Sequence, residues 1–323
     1  MAQATDAWGG SGPAAVSPTT TRVREPMSLW KLAWRRFRRH KMAMAGLAGL
    51  ILIILFITVG LILVSEGQAN DPDIYNRLQG PTLAHWFGTD STGRDIFFRI
   101  IYGGQISMAI GFLSVGVSLI AGVAIGLLSG FYRGWIDALL MRFTESILAI
   151  PSLLLLLVVN KMLLGKIDNI DLFGHSFSGS VPIVILAIGL TSWMYEARIV
   201  RAAVLAASQQ EYVTAARSVG VKDTRIIIRH ILPNVLAPII VNLTLGLANA
   251  IISEAYVSFL GLGVQPPTAS WGNLLDDSLT FIQRGFWWMW FFPGLMIVLT
   301  LLCVNFVGDG VRDALDPRGL IEI

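Results

Sequence analysis

A run of 23 residues without a charged side chain, Met42 to Val64, most constrains the fold of this chain. A helix that crosses a bilayer needs roughly 20 mostly apolar residues, whereas the apolar part of a secretory signal peptide has roughly 7–15. The run also begins late in the chain, after a basic stretch between Arg35 and Lys41. The sequence therefore predicts an uncleaved membrane span rather than a signal peptide.

Five further segments have the length and apolar character of membrane spans, although charged residues intrude into the third and fourth of the six. Only 14% of the residues are charged, against about 25% in soluble proteins, which excludes a typical soluble enzyme. The single cysteine, Cys303, excludes an intrachain disulfide and a cysteine-based zinc site. We predict an all-α polytopic membrane protein whose transmembrane domain covers 42–320, with spans at about 42–64, 106–129, 136–159, 181–207, 235–262 and 286–307.

The basic residues are distributed unequally between the two sides that these spans define. With the N-terminus inside, eighteen of the 24 Lys and Arg residues fall on the inner side and six on the outer side. Because cytoplasmic loops carry the excess of Lys and Arg, both termini are expected in the cytoplasm. Trp287, Trp288 and Trp290 cluster where the last span would enter the outer interface.

The segments outside the spans differ in character. Residues 1–27 are rich in Ala, Thr, Ser, Gly and Pro, which predicts a disordered cytoplasmic tail. In 28–41 aromatic and basic residues alternate, which indicates either an amphipathic helix on the lipid surface or an ordinary positive flank. The outer loop 65–105 contains the turn-rich stretch 88–95, which fits neither a phosphate-binding nor a calcium-binding motif and predicts a folded loop.

The inner loop 208–234 is the most informative segment. Residues 211–219 have helical composition, and Gly220 fits the C-terminus of a helix. A second short helix is expected to begin at Lys222 or Asp223 and to end at Pro233. The first helix would expose small residues, which allow another protein to approach closely; these are Ala215, Ala216 and Ser218.

This loop resembles the coupling loop of ABC-importer permeases, Glu-Ala-Ala-x3-Gly-x9-Ile-x-Leu-Pro. The matching residues are Ala215, Ala216, Gly220, Leu232 and Pro233, while Thr214 replaces the glutamate and His230 stands in the place of isoleucine. Because the glutamate is absent, no salt bridge is assigned to position 214.

Three other stretches are similar to signatures of the dipeptide/oligopeptide/nickel group of these permeases, and in particular of its second, C-type subunit. They are 87–95 with 101–104, 258–267 with 270–273, and 313–318, so that the resemblance extends over about 28–320.

The resemblance implies a type I importer fold with a cytoplasmic coupling helix, in a bacterial plasma membrane. It implies a heterodimer with a homologous permease, two ATP-binding subunits and an extracytoplasmic substrate-binding protein, with membrane lipid as a further partner. The chain has no G-x-x-x-x-G-K-S/T sequence, so ATP and Mg would reside on the partner subunits, and no catalytic, cofactor, metal or nucleic-acid site is expected here. The residues predicted to couple to the ATPase are Glu211, Thr214, Ala215, Ala216, Arg217, Gly220, Asp223, Leu232 and Pro233.

Charged residues inside spans are candidates for function. Glu145, Glu196 and Glu254 could line the translocation path or a gate. Glu145 could instead pair with Arg142 on the same helix face. For Glu196 and Arg198 the alternative is that they merely mark the inner end of the fourth span.

The function predicted in this way is import of di- or oligopeptides, with nickel or another small solute as the alternative within the same kind of machine. A membrane-embedded enzyme would need a cluster of catalytic side chains, but the four histidines are dispersed and no H-E-x-x-H pair exists. A channel would need a repeated ring of polar residues. A secondary transporter is the alternative of a different class; it would show an inverted repeat, and none is evident.

Overall fold

The computed structural model describes residues 29–64, 66–172 and 175–316. The predicted tail 1–27, residue 28 and residues 317–320 of the predicted domain lie outside these ranges. The helices are α1 (Leu29–Arg39), α2 (Lys41–Leu63), α3 (Glu66–Asn70), α4 (Ile96–Tyr132), α5 (Gly134–Leu148), α6 (Ser152–Leu163), α7 (Ser180–Ala207), α8 (Glu211–Ser218), α9 (Asp223–Ile226), α10 (Leu232–Phe259), α11 (Trp271–Ser278) and α12 (Trp288–Leu315). Two three-residue strands, β1 (Ile170–Leu172) and β2 (His175–Phe177), pair antiparallel in an otherwise helical fold.

Within these described ranges, five helical stretches are long and apolar enough to cross a membrane, and a sixth span results if the bent pair α5 and α6 counts as one. The predicted span 181–207 agrees with α7 to within one residue. The helix predicted over 106–129 begins ten residues earlier, at Ile96, because Asp95 caps it by accepting the backbone N–H of Phe97 (2.8 Å). The last span also differs from its predicted range 286–307, because α12 continues to Leu315.

The third predicted span, 136–159, is not one continuous helix. The axes of α5 and α6 differ by 88° across a short break that contains Pro151. Proline has no N–H to donate and disfavours helical geometry in the residue before it, here Ile150. The predicted span 136–159 rests on apolar composition over 24 residues, and composition does not indicate the break that Pro151 introduces.

Close packing of α4 against α7 organises the centre of the bundle. Gly122, Gly126 and Gly130 recur every four residues and so lie on one face of α4. A Cβ atom at Gly126 would lie 2.7 Å from the Cβ of Val200, and one at Gly130 would lie 2.8 Å from that of Val204. The missing side chains therefore allow the two helices to approach closely, as small residues do in membrane proteins.

The polar loop before α4 is folded, as the sequence predicts, and the buried carboxylate of Asp90 organises it. Asp90 Oδ1 accepts the backbone N–H groups of Thr92 (2.8 Å) and Arg94 (3.0 Å), and Oδ2 accepts Arg94 Nε and Arg99 Nη1, both at 2.7 Å. Arg99 Nη1 also donates to Asp277 Oδ2 in α11 (3.1 Å). Burial opposes ionisation of Asp90, but the two guanidinium groups and the hydrogen bonds from Thr92 outweigh burial and hold its pKa below the ordinary value.

Candidate functional site

The short helix α8 stands between the two long helices α7 and α10 and exposes one of its faces. Val213 and Ala216 point inward, into an apolar cluster that includes Val204 and Ile231. Thr214 and Ala215 point outward together with Glu211, Arg217 and Ser218. Ala216 is only 9% exposed, so the prediction that both alanines face another protein is wrong for Ala216. The side of Val213 is apolar, and the helical period places Ala216, three residues later, on that same side.

The end of α8 has the geometry expected of Gly220. Its φ is +77°, in the left-handed region, and no atom lies within 4 Å of an added Cβ. The Gly220 N–H donates to Arg217 O (2.9 Å) and the Val221 N–H donates to Ala216 O (3.1 Å). These two bonds form a Schellman motif, which fixes the direction in which the chain leaves the helix.

Two charged residues that were predicted to contact a partner stand in the first turns of their helices. Glu211 opens α8 and Asp223 opens α9, and both side chains are exposed. A carboxylate there is favoured by the helix dipole without any partner. Arg217 is exposed as well, but its guanidinium carbon lies 4.9 Å from the centre of the Phe131 ring, an approach close enough for a cation–π interaction. Arg217 therefore links α8 to the end of α4.

The second helix does not end at Pro233, contrary to the prediction. A five-residue π-helix, Ile227–Ile231, joins α9 to α10, and the Leu232 N–H donates to Ile227 O, five residues earlier. Pro233 directly follows the π-helix as the second residue of α10, and the helical run continues through it. Asn234 Nδ2 then donates to His230 O (2.6 Å). Leu232 packs against the apolar cluster under α8. From Asp223 onward the helix is continuous into α10.

A shallow groove of about 780 Å³ lies beside the C-terminus of α8 and was not predicted. Its walls combine exposed apolar side chains with three basic ones; the lining residues are Val219, Gly220, Val221, Lys222, Thr224, Arg225, Ile228 and Arg229. Val219 is 79% exposed. The sequence has no signal that marks Val219, because a valine directly before the glycine that ends a helix is ordinary.

A second cavity, of about 360 Å³ and open on one side, lies between α4, α6, α7 and α10. The cavity is lined by Ser114, Val115, Ser118, Ser152, Leu153, Leu156, Ile188, Thr191, Ser192, Tyr195, Glu196, Asn242, Leu245, Gly246, Asn249, Ala250, Ile252, Ser253 and Tyr256. Glu196 is its one acidic residue, and the side chain of Asn242 lies near the carboxyl group. Of the three carboxylates proposed from the sequence, the structure places Glu196 alone on this cavity.

Glu254 and Glu145 stand elsewhere. Glu254 is completely buried; its Oε2 accepts Ser107 Oγ and its Oε1 accepts Ser258 Oγ, both at 2.8 Å. Ser107 Oγ also accepts the backbone N–H of Trp271 (3.1 Å). Through Ser107, Glu254 therefore joins α4, α10 and α11 instead of lining the cavity. Glu145 has an exposed side chain 3.8 Å from Arg142, the helical pair that the sequence offered as its alternative.

Comparison with protein families finds two matches. The model described as "Binding-protein-dependent transport system inner membrane component" matches residues 122–319. The model described as "N-terminal TM domain of oligopeptide transport permease C" matches residues 28–81.

Curated relatives match over nearly the whole chain. The dipeptide transport system permease protein DppC of Alkalihalophilus pseudofirmus is 41% identical over 292 residues, which are 90% of this chain and 91% of the relative. The oligopeptide transport system permease protein OppC of Bacillus subtilis is 39% identical over 91% of this chain and 92% of its own length. The glutathione transport system permease protein GsiD of Shigella dysenteriae is 40% identical over 92% of each.

Among solved structures, the fold is similar to a chain of the MetNI methionine ABC transporter in an inward-facing conformation. The TM-score is 0.54 at 17% identity, over 68% of this chain and 98% of the other. At this identity the likeness concerns the fold.

Proposed function

Because this chain belongs to the family of binding-protein-dependent transport system inner membrane components, we propose that it forms half of the translocation path of an ATP-driven peptide importer. The relatives named as dipeptide, oligopeptide and glutathione permeases support di- or oligopeptides as the substrate class. The partners would be a homologous permease, two ATP-binding subunits and an extracytoplasmic binding protein. ATP and Mg would be bound by the ATPase subunits, since this chain has no P-loop sequence.

The observation that carries the proposal is the way α8 is held. Its buried side packs on the bundle, a Schellman motif closes its end, and continuous helix from Asp223 leads into α10. A helix held in this way transmits a displacement to α10, whereas a flexible loop would absorb it. We assign α8 as the coupling helix, with the groove beside Val219 receiving part of the ATPase.

The residues of this surface then have different roles. Thr214 and Ala215 would contact the ATPase directly, and Glu211 and Asp223 would offer it exposed charges. Arg217 and Gly220 would set the orientation of α8. A second set would act from beneath, by supporting α8 or by shaping the start of α10; these are Ala216, Leu232 and Pro233.

The groove favours an acidic and apolar surface on the ATPase. Lys222, Arg225 and Arg229 supply positive charge, while Val219 and Ile228 supply exposed apolar area. The same excess of basic residues would place α8 and both termini in the cytoplasm, with the chain in a bacterial inner membrane. The loop around Asp90 would then face the binding protein on the outside.

The test is ATP-driven uptake by the complete complex in proteoliposomes, with labelled di- and tripeptides and with ⁶³Ni²⁺. We expect peptide uptake that requires hydrolysis by the ATPase subunits. Uptake that persists with hydrolysis-deficient ATPases would contradict the importer, and uptake of nickel without peptide would select the alternative substrate.

Coupling is tested by Gly220→Pro. Proline holds φ near −65° and cannot adopt the φ of +77° found here. We expect a protein that inserts into the membrane and assembles but no longer couples ATP hydrolysis to uptake. The control is Gly116→Ala, at a glycine of α4 with open space around it, which should leave uptake unchanged. Proline is not used at position 116 because it would break α4. Normal uptake by Gly220→Pro would refute the coupling role.

A further inference from the structure

Glu196 presents an unsatisfied carboxylate oxygen within the bundle. The residue is 5% exposed, its Oε2 is buried without a hydrogen-bond partner, and the side chain of Asn242 lies near the carboxyl group. Gly246 stands across the cavity, where an added Cβ would come within 3.5 Å of Oε1. Glu196 and Gly246 both line the cavity, and it is Oε1 that lies on the side of Gly246, whereas Oε2 is buried.

A buried carboxylate oxygen without a donor is costly, because it has lost water and gained nothing in its place. The lining of the cavity includes no Lys, Arg or His that could supply a positive charge. The ligand that best compensates this carboxylate brings both a positive charge and N–H donors. An ammonium group has both properties.

The rest of the lining fits a peptide backbone. Asn249 and Ser253 carry side chains that both donate and accept hydrogen bonds, as a peptide group requires. Tyr195 and Tyr256, each more than half exposed, offer aromatic faces to side chains of different kinds. A divalent metal would want several oxygen ligands of high charge, and this cavity offers a single carboxylate.

The depth of Glu196 also suits a path residue. It lies eleven residues before the end of α7, which at 1.5 Å per residue is about 17 Å along a helix of about 42 Å. Asn242 lies ten residues after the start of α10, at a similar level. The carboxylate is therefore near the middle of the bundle, between the end that carries α8 and the opposite end.

We propose that the carboxylate of Glu196 binds the amino-terminal ammonium group of a peptide in transit, with Asn249 and Ser253 contacting the peptide backbone. The α-ammonium is the cation that peptides share whatever their side chains. One acidic residue in an otherwise uncharged cavity thus recognises the substrate class without selecting a sequence. This inference rests on the proposed function.

The experiment measures equilibrium binding of radiolabelled trialanine and of N-acetyl-trialanine to the complete permease–ATPase complex in nanodiscs. No binding protein is added, so that its own selectivity does not enter. The wild-type complex should bind trialanine more tightly than the acetylated peptide. Glu196→Gln keeps the size of the side chain and removes its charge, and it should weaken trialanine binding at least about tenfold while leaving N-acetyl-trialanine unchanged.

Two variants complete the test. Asp309→Asn removes an exposed carboxylate on α12, away from the cavity, and should change neither affinity. Glu196→Asp keeps the charge on a shorter side chain and should retain a preference for the free amine, which also covers the case in which Glu196→Gln does not assemble.

Several results would overturn the inference: no preference for trialanine in the wild-type complex, equal weakening of both peptides in Glu196→Gln, or loss of the preference in Glu196→Asp. Equal weakening would instead indicate that Glu196 pairs with a basic residue of the partner permease. Failure of the proposed function is separate, since it would appear as absence of ATP-driven peptide uptake by the wild-type complex with its binding protein.

Discussion

Replacing Asp90 by alanine should open the polar loop that precedes α4. Asp90 is the common acceptor for two guanidinium groups and two backbone N–H groups. Its side chain is 3% exposed and that of Arg99 is 2% exposed, so solvent does not screen their contact at 2.7 Å. The substitution leaves Arg99 buried with Asp277 as its remaining acidic partner, at 3.1 Å and on a side chain that is 39% exposed.

The magnitude follows from that arrangement. Removing one partner of a buried ion pair costs about 3–5 kcal/mol, because the other charge stays buried without compensation. Asp277 compensates Arg99 in part, so we expect the lower end, about 3 kcal/mol. Each 1.4 kcal/mol is a factor of ten, so local opening of the loop should become about a hundredfold more frequent.

Hydrogen–deuterium exchange of the complex in nanodiscs measures this change directly. The backbone N–H groups of Thr92 and Arg94 lose their acceptor in Asp90→Ala, and peptic fragments that cover residues 88–98 report them. When the loop closes faster than exchange occurs, the exchange rate follows the free energy of opening. Exchange in α12 from Thr300 onward, beyond Trp288 and Phe292, which contact the loop, should stay close to that of the wild type.

Two variants give the comparison its scale. Asp90→Asn keeps an oxygen acceptor but removes the charge, so its exchange should fall between those of wild type and Asp90→Ala. Asp73→Ala removes an exposed cap from the short 3₁₀ helix Ile74–Asn76 and should cost no more than about 1 kcal/mol. If Asp90→Ala exchanged no faster than Asp73→Ala, the buried carboxylate would not be what holds the loop together.

Three further outcomes are expected. Gly126→Leu places a side chain where a Cβ would already lie 2.7 Å from a valine of α7, and should cost about 1–3 kcal/mol by overpacking; heat survival of the complex in size-exclusion chromatography should fall, while Gly116→Leu, in open space on the same helix, should not reduce it. Trp271→Phe loses the indole hydrogen bond to Ile100 O (3.0 Å) and part of a fully buried ring, so the same assay should show a loss of about 1–3 kcal/mol, and an unchanged profile would contradict that packing. Because the pKa of Asp90 is lowered, its stabilisation is complete above the ordinary aspartate pKa of about 3.9 and is lost as the pH falls through the lowered value; pepsin should cleave the wild-type loop increasingly below about pH 4, with a smaller pH step in Asp90→Asn.

Several elements could be predicted because their signals are local in the chain. The apolar run that becomes α2 and the segment that becomes α7 have the length of a span whatever surrounds them. Helical composition before Gly220 predicts both the helix α8 and its left-handed end, since glycine tolerates a positive φ at little cost. The polar loop around Asp90 could be recognised as folded, but not its partners, because Asp277 is 187 residues away in the chain.

The errors concern geometry that depends on neighbours. Pro233 was expected to end a helix, yet a π-turn widens the backbone before it and the helix continues. Ala215 and Ala216 are adjacent and of the same type, so composition assigns them one role. The core under α8 separates them, since one faces outward and the other is buried.

The sequence by itself determined that this is a polytopic helical membrane protein of the importer family, because hydrophobic length, charge bias and motif spacing are properties of the chain alone. The tertiary structure decided which of the acidic residues keeps a carboxylate oxygen without a hydrogen-bond partner. Glu196 and Glu254 are both acidic residues within predicted spans and were both candidates for the translocation path. Folding surrounds Glu254 with serine hydroxyls from other segments and leaves Glu196 with an unpartnered oxygen at a cavity. The free energy of a buried carboxylate depends on donors that distant parts of the chain bring to it, and only the packing of the helices specifies those donors.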